Sequence, residues 1–304
     1  MQPALPPEAM PQTCPMRRAN PAHPPRPVAS APGGSRWSQT LDALPAGLWL
    51  ALLAAALWPV WRWMGQRALD RSDDPLGLLA LAALGALAAR HRRQLRTAPR
   101  LGWFALALAG AVVCTAAQGV LPALLVALLG LLALAAALAA FLPAAVASAP
   151  LLGLPVLALP LLASLQFYAG FPLRVVTAEV SSWLLRAAGY TVERLGASLQ
   201  INGQLVIVDA PCSGVQMAWL GYFSACAATL YLGRGNRAFL TRLPAVSVLV
   251  LGGNIVRNSI LVAAQASGAL LPEAVHEGIG LAVLAAVCSA IAGVMSRPEK
   301  DRHV

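Results

Sequence analysis

Eight long apolar runs, separated by short polar or basic segments, constrain the fold of this chain more than any other feature. They fall at about 44–64, 75–89, 101–118, 120–148, 150–171, 212–232, 244–265 and 276–296. A helix needs about 20 residues to cross a hydrocarbon core of roughly 30 Å, and most of these runs are long enough. The pattern predicts an all-α polytopic membrane protein with about eight transmembrane helices.

The composition agrees with a membrane protein and argues against other classes. Hydrophobic residues make up 58% of the 304 residues and charged residues 11%, too little polar surface for a soluble globule. The net charge of +10 could indicate nucleic acid, but the basic residues lie between apolar runs without interleaved aromatic residues. The five cysteines are isolated and show no metal-ligand spacing. We therefore expect no nucleic-acid partner, no metal, no other cofactor and no disulfide framework.

The basic segments predict the orientation of the chain. Lys and Arg concentrate in residues 90–100, 233–242 and 297–304, and such segments stay on the cytoplasmic side. With eight spans and the Arg-bearing N-terminus inside, all of them fall on that side. The predicted organisation is a disordered Pro-rich cytoplasmic tail, a first set of transmembrane helices, a C-terminal core with an outer loop, and a second cytoplasmic tail. Their ranges are 1–40, 41–150, 151–296 with the loop at 172–211, and 297–304.

The outer loop carries two different patterns. Residues 175–189 have helical periodicity with an apolar and a polar face, typical of a helix lying at the membrane interface. Residues 190–209 alternate apolar and polar side chains and contain Asn202-Gly203, a strong hairpin signal. The loop is therefore expected to form an extracytoplasmic insertion of an amphipathic helix and a small β-hairpin.

Cys212 follows this insertion, in the sequence V-D-A-P-C-S-G. If a helix starts here, its unpaired N–H groups and positive dipole end favour a reactive thiolate and could bind an oxyanion. Alternatively, Cys212 is a small buried residue that packs a helix start. The other cysteines are poorer candidates, because they lie in the N-terminal tail or within apolar runs: Cys14, Cys114, Cys226 and Cys288.

Arg257 is the only charged residue in the run 244–265, and an arginine in a membrane span usually marks a functional site. About thirteen residues at 1.5 Å each place it roughly 20 Å from the cytoplasmic end, in the outer half of the core. Asn254 lies one helical turn earlier and could hold the guanidinium. The alternative is an arginine that extends to the outer interface or pairs with a carboxylate.

His276 is selected by elimination, since the other three histidines fall in segments predicted to be cytoplasmic. By itself it could be an ordinary interfacial residue. Together, however, Cys212, Arg257 and His276 come from different helices and meet at the same membrane face. A thiol nucleophile, an imidazole base and a cation for the oxyanion are the components of acyl transfer.

Four sequence motifs resemble the exosortase/archaeosortase family of membrane cysteine transpeptidase-like enzymes. They are P-L-R-V-V-T with W-L-L-R-A-A-G-Y-T-V-E-R-L-G in 172–196, V-D-A-P-C-S-G-V-Q-M in 208–217, G-G-N-I-V-R-N in 252–258, and His276 before the final helix. The resemblance covers roughly 150–296. The Pro-rich N-terminus and Asp209-Ala210-Pro211 depart from the pattern and indicate a divergent subtype.

The resemblance implies that Cys212, Arg257 and His276 are catalytic. Asn254, Ser213, Gly214 and Arg174 lie in the matching motifs and are expected to bind substrate or support the site. Members are thought to cleave C-terminal sorting signals made of a short motif such as Pro-Glu-Pro, a membrane helix and a basic tail.

The resemblance also implies a place and a partner. The new carboxyl end would pass to an envelope acceptor, a glycan or a lipid, at the outer face of the inner membrane, in connection with exopolysaccharide assembly. The alternative function is a non-proteolytic component of polysaccharide assembly or export, in which Arg257 binds an anionic lipid-linked sugar.

Overall fold

Ten helices and three strands make up the part of the chain that the computed structural model describes, residues 45–69, 75–201, 203–207, 213–266 and 272–298. The helices are α1 Ala46–Ala56, α2 Trp58–Leu69, α3 Gly77–Arg90, α4 Leu101–Ala116, α5 Ala123–Phe141, α6 Ser148–Ala158, α7 Leu162–Ala187, α8 Val215–Tyr231, α9 Asn236–Ala266 and α10 Glu273–Ser296. The strands are β1 Val192–Leu195, β2 Ser198–Ile201 and β3 Gln204–Ile207. The predicted N-terminal tail, 1–40, lies outside the described residues.

Arginine side chains contact the termini of several helices at one end of the bundle. Arg242, near the start of α9, donates to the carbonyl oxygens of Met295 at 2.8 Å and Arg297 at 2.7 Å, at the end of α10. The guanidinium of Arg90, the last residue of α3, lies 4.6 Å from the ring centroid of Tyr231, the last residue of α8. Cations are favoured at helix C-termini because the last carbonyl groups have no partner within the helix. We call this the basic end.

The starts of α8 and α10 lie at the opposite end, because both helices finish at the basic end. The 17 residues of α8 separate the two ends by about 25 Å. Ser213 and Gly214 directly precede α8, and His276 lies in the first turn of α10. We call this the site end.

Helix lengths do not match the expected eight spans. Among the described residues, only α5, α9 and α10 are each long and apolar enough to cross a membrane, and the number rises to five if each of two bent helix pairs is one span. α3 and α4 are apolar but have only 14 and 16 residues. The apolar runs are longer than the helices because they include prolines and turns. For example, α5 begins after Pro122 and ends at Phe141, before Pro143.

The sequence analysis ended one span at residue 171 and began the outer loop at residue 172. This boundary is wrong. The helix breaks earlier, between α6 and α7, with a bend of 95°. Pro160 has no N–H and disfavours helical backbone at the residue before it, and Leu159 is extended with ψ 145°. α7 then continues through Pro172 to Ala187, so residues 175–187 of the amphipathic stretch belong to a 26-residue helix that begins inside the expected span.

α9 also begins earlier than expected, at Asn236 instead of near 244, and Pro244 lies inside it. Its 31 residues are about 46 Å long, more than a hydrocarbon core of roughly 30 Å. Arg257 is therefore about 32 Å from the start of the helix, while its distance from residue 244 remains roughly 20 Å.

Residues 192–207 form a three-stranded antiparallel sheet in the order β1-β2-β3, one strand more than a hairpin. Gly203 has φ +82°, which suits a tight turn, whereas Asn202 lies outside the described residues. One face of the sheet packs on α7 and α9 in a hydrophobic cluster separate from the main core. We call it the sheet cluster, and its buried members are Ala178, Leu185, Val192, Leu199, Ile201, Val206, Leu261 and Val262.

Glycines bring α8, α9 and α10 close together. A methyl group at Gly221 of α8 would overlap Val250 of α9, and one at Gly253 of α9 would overlap Val287 of α10. Such close backbone approach gives dense side-chain contact between neighbouring helices. The three helices that carry the predicted site residues thus form one tightly packed unit.

Candidate functional site

Ser213 and Gly214 form the start of α8, and their geometry is well defined. Gly214 has φ +87°, a left-handed conformation that a glycine adopts without a steric penalty. Ser213 Oγ donates to Gln166 Oε1 of α7 at 2.7 Å and accepts from the Val215 N–H at 3.3 Å. The hydroxyl therefore joins the start of α8 to α7.

The first helical residue of α8 is Val215, so the helix does not begin at Cys212 as expected. Cys212 itself lies outside the described residues, and its role stays a prediction. It precedes Ser213, which is 2% exposed and held from two sides by the hydrogen bonds above.

Asn254 packs directly on Gly214. A Cβ at Gly214 would come within 2.8 Å of Asn254 Nδ2, so only glycine fits this contact. The same amide nitrogen donates to Thr177 Oγ1 of α7 at 3.1 Å, and the Asn254 side chain is buried. Asn254 thus connects α7, α9 and the start of α8, while its predicted support of the Arg257 guanidinium stays a prediction.

A second polar pair lies one turn further along the same two helices. Asn258 Nδ2 donates to Ser181 Oγ at 3.1 Å, and both residues are buried. Residue numbers increase together in the two pairs, so α7 and α9 run parallel here. We call the four residues the polar ladder: Thr177, Ser181, Asn254 and Asn258.

Sequence reasoning missed Gln166, Thr177, Ser181 and Asn258. A signal for the ladder was present, because Thr177 and Ser181 are four residues apart, as are Asn254 and Asn258. Residues four apart share a helix face, so two matched pairs of small polar residues can join two helices. No such local signal pointed to Gln166.

Arg257 contacts α10 one helical turn from His276. The Arg257 guanidinium packs on Gly280 of α10, where a Cβ would lie 3.1 Å from Nε and 3.2 Å from Nη2. His276 is half-buried and lies four residues, or one helical turn, before Gly280 on the same face of α10. The structure therefore brings two of the three predicted catalytic side chains to one face of α10.

A groove with a volume of about 440 Å³ lies between α8, α9 and α10 at the site end. Its polar lining residues are Gln216, Arg257 and Glu277, near the starts of α8 and α10. Its apolar lining residues are Met217, Leu220, Leu281 and Leu284, together with Gly280. The groove is polar where the helices start and apolar one to two turns further in.

Arg174 lies on α7 one turn before Thr177 and is half-buried. Its Nε is enclosed and has no hydrogen-bond partner within the described part of the chain. The residue follows the same helix face as the ladder, so it lies on the side of α7 that meets α9. Its predicted supporting role is compatible with this position but is not tested by it.

Apolar helices that could cross a membrane, with an open groove of mixed polarity at one end, are the features of an integral membrane protein with a candidate site at the end of its bundle. Residues 68–293 match the family model described as transmembrane exosortase (Exosortase_EpsH). The chain belongs to the transmembrane exosortase family, as its motifs predicted. No curated protein and no solved structure matches the chain.

Proposed function

We propose that the protein is a membrane cysteine endopeptidase and transpeptidase that cleaves C-terminal sorting signals of exported proteins. The observation that carries the proposal is the contact of the Arg257 guanidinium with Gly280, one turn from His276, beside the groove at the start of α8. The proposal joins the Arg257 cation, the His276 imidazole and the segment that follows Cys212 in one site. Family membership supports the same reaction class.

In the proposed reaction, His276 takes the proton of the Cys212 thiol, and the thiolate attacks the scissile carbonyl carbon. A C–S bond forms, and Arg257 stabilises the oxyanion of the tetrahedral intermediate. The C–N bond then breaks as His276 protonates the leaving amine, which leaves a thioester on Cys212. Water, or an amine or hydroxyl of an envelope glycan or lipid, attacks the thioester and releases the thiol.

The groove suits a substrate that ends in a short motif, a membrane helix and a basic tail. Its polar part would receive the scissile segment, and its apolar part the first turns of the substrate helix. α10 leaves room for such a partner, because only 17% of its membrane-length window is buried inside the protein. Anchoring the substrate in the bilayer would place the scissile bond at a constant depth, which lowers the entropic cost of reaction.

We further propose that the site end faces the outside of the inner membrane and that the basic end faces the cytoplasm, as the distribution of arginines favours. The protein would then act on exported chains after their translocation. Its acceptor would belong to the envelope, in connection with exopolysaccharide assembly.

The test is the processing in cells of a tagged protein that carries a sorting signal. We expect Cys212→Ala to abolish cleavage and Arg257→Ala to slow it by about 10²–10³-fold, as for the loss of an oxyanion donor. Cys288→Ala, which removes a half-buried cysteine from α10, is the matched control and should process normally. Cleavage by Cys212→Ala at the wild-type rate would refute the nucleophile.

The polysaccharide alternative predicts a different outcome, in which Arg257→Ala is damaging and Cys212→Ser is nearly silent. Alkylation from the outer side separates the two functions further. A nucleophilic Cys212 should react rapidly near neutral pH with a membrane-impermeant maleimide, whereas a cysteine that only packs a helix start should react slowly.

A further inference from the structure

We propose that the free edge of β3 binds the substrate segment preceding its membrane helix, as an added fourth strand of the sheet. This inference rests on the proposed function, because it concerns how the same site holds its peptide. It assigns a substrate-binding role to backbone groups of residues 204–207. The argument starts from the difference between the two edges of the sheet.

The β1 edge is occupied and charged. Arg186 Nε of α7 donates to the Val192 carbonyl oxygen at 2.9 Å, and Arg194 forms an ion pair with Glu179 of α7. Glu193 adds a further charge to this strand. Charged side chains and covering helices are the usual protection of an edge strand against pairing.

Within the described residues, β3 packs on a helix, α9, through the buried side chain of Val206 on the face of the sheet. The sequence of β3, Q-L-V-I, has no charge and no proline, and no described strand lies beside it other than β2. An edge of this kind is a ready template for another extended chain. Of the two edges, β3 is the less protected among the residues that the structure describes.

The register shows which backbone groups of β3 point outward. Ile201 pairs with Gln204 across a two-residue connection, and Leu199 pairs with Val206. In such a hairpin the closing pair is hydrogen-bonded, and the bonded pairs then alternate along the ladder. The N–H and C=O groups of Leu205 therefore point away from β2, and the Leu205 side chain is 56% exposed.

β3 packs on α9, the helix that carries Arg257, whereas β1 packs on α7. Val206 is buried in the sheet cluster with Leu261 and Val262 of α9, and Ile279 of α10 packs against the same cluster. Ile279 directly precedes Gly280, on which the Arg257 guanidinium lies. A peptide on β3 would therefore be close to the polar part of the groove.

An extended substrate segment is the occupant that these observations favour. A peptidase must hold its substrate backbone extended to expose the scissile carbonyl, and strand addition does so through main-chain bonds. The chain also passes from Ile207 to Ser213 at the start of α8 in six residues, including Cys212. A second copy of the protein, paired edge to edge, is the competing occupant that the test must exclude.

The first experiment compares Leu205→Pro with Leu205→Ala in the full-length protein, with the tagged sorting-signal protein as substrate. Proline at position 205 removes the N–H group that points away from β2 and breaks no hydrogen bond to β2. Alanine at this position keeps the N–H group. We expect kcat/KM of Leu205→Pro to fall about tenfold below that of Leu205→Ala, as for the loss of one or two hydrogen bonds. Equal values in the two variants, with an active wild type, overturn the docking and leave the proposed function intact.

The second experiment does not depend on catalysis. Leu205→Cys is combined with Cys212→Ala, and single cysteines are scanned along the substrate segment before its membrane helix. We expect disulfide formation on mild oxidation at every second substrate position, because side chains alternate along a strand. Cys212→Ala alone gives the background from the native cysteines.

Cross-links at alternate substrate positions would support strand addition even if the wild-type protein fails to cleave the substrate. Such a failure of cleavage would overturn only the proposed function. Cross-linking without a period of two overturns strand addition. A disulfide-linked dimer formed without substrate would identify a second copy as the occupant and would also overturn the proposal.

Discussion

Gly280 leaves space for the Arg257 guanidinium against the backbone of α10, and Gly278 provides a matched control in the same helix. A Cβ at 280 would lie 3.1 Å from Arg257 Nε, whereas one at 278 would meet nothing within 4 Å. We expect Gly280→Ala to displace the guanidinium and to slow substrate processing by about tenfold or more, because small misplacements of catalytic groups are costly. Gly278→Ala should process normally in the same assay, and an equal loss in both variants would contradict this role of Gly280.

Gly214 combines a positive φ with the Asn254 contact, and Gly203 has a similar φ without any contact. Their φ angles are +87° and +82°, and a Cβ at 203 would meet nothing within 4 Å. Gly203→Ala should therefore lose only the roughly 1–2 kcal/mol of left-handed strain. We expect Gly214→Ala to lose more, because the methyl group also collides with Asn254, and a lower thermal unfolding midpoint in detergent would show it. The same midpoint for both variants would mean that Asn254 moves aside freely.

Single-residue chemistry was partly visible in the sequence. The motifs pointed to Ser213, Gly214 and Asn254, and all three lie together at the start of α8. Gln166, which binds Ser213, was not predicted because a glutamine near the end of an apolar run has no distinctive local pattern. Its partner lies 47 residues away and meets it only through the bend after α6.

Among the helices, the polar ladder determines how α7 lies against α9. Ser181→Ala removes the acceptor of the buried Asn258 amide, whereas in Asn258→Ala the Ser181 hydroxyl loses this donor but keeps its bond to the Ile255 carbonyl oxygen. We expect each substitution to cost about 1–3 kcal/mol and the double variant to cost less than the sum. The free energy of unfolding in detergent is measured for the two single variants and the double variant. Strictly additive losses would show that the two side chains do not act as a pair.

The hydrogen bonds of Arg242 stabilise the end of α10, whereas Arg237 is exposed and its side chain forms no hydrogen bond or ion pair with the described residues. We expect Arg242→Ala to lower the free energy of unfolding by about 0.5–2 kcal/mol, since the carbonyl groups lose a charged donor. Arg237→Ala removes the same charge from the same end, so it controls for effects on topology. Unequal destabilisation, with the larger loss at 242, is the expected result.

Element boundaries were the weakest part of the sequence prediction. Hydropathy showed that 150–171 was apolar, but Pro150, Pro155 and Pro160 offered several places for a break. Only Pro160 interrupts the helix, and Pro155 lies within α6. A proline inside a helix is tolerated where packing supplies other contacts, and that information is not local in sequence.

At the scale of the whole molecule, one hydrophobic core joins helices from both sides of residue 150. Leu84, Leu131 and Leu154 belong to the same cluster as Trp219 and Ile291. The family match likewise begins at residue 68, well before the motifs in 150–296. The N-terminal helices are therefore packed together with the site-bearing helices.

The proposed orientation makes a prediction for the entire bundle. Glu193→Cys lies in β1 at the site end, and Gly235→Cys lies just before α9 at the basic end; both positions are exposed. In a Cys212→Ala background, an impermeant maleimide should label Glu193→Cys in right-side-out membrane vesicles and Gly235→Cys only after detergent is added. The reverse pattern would invert the topology.

The sequence by itself determined the membrane class and the family, and it predicted Cys212, Arg257 and His276 as the catalytic residues. These properties follow from hydropathy, charge and short motifs, all of which are local along the chain. Only the tertiary structure decided the 95° bend before α7, the parallel packing of α7 on α9, the free edge of β3, and the place of Arg257 on Gly280. These depend on contacts between distant segments, such as the pair Asn254 and Thr177 at 77 residues' separation, which no local pattern encodes.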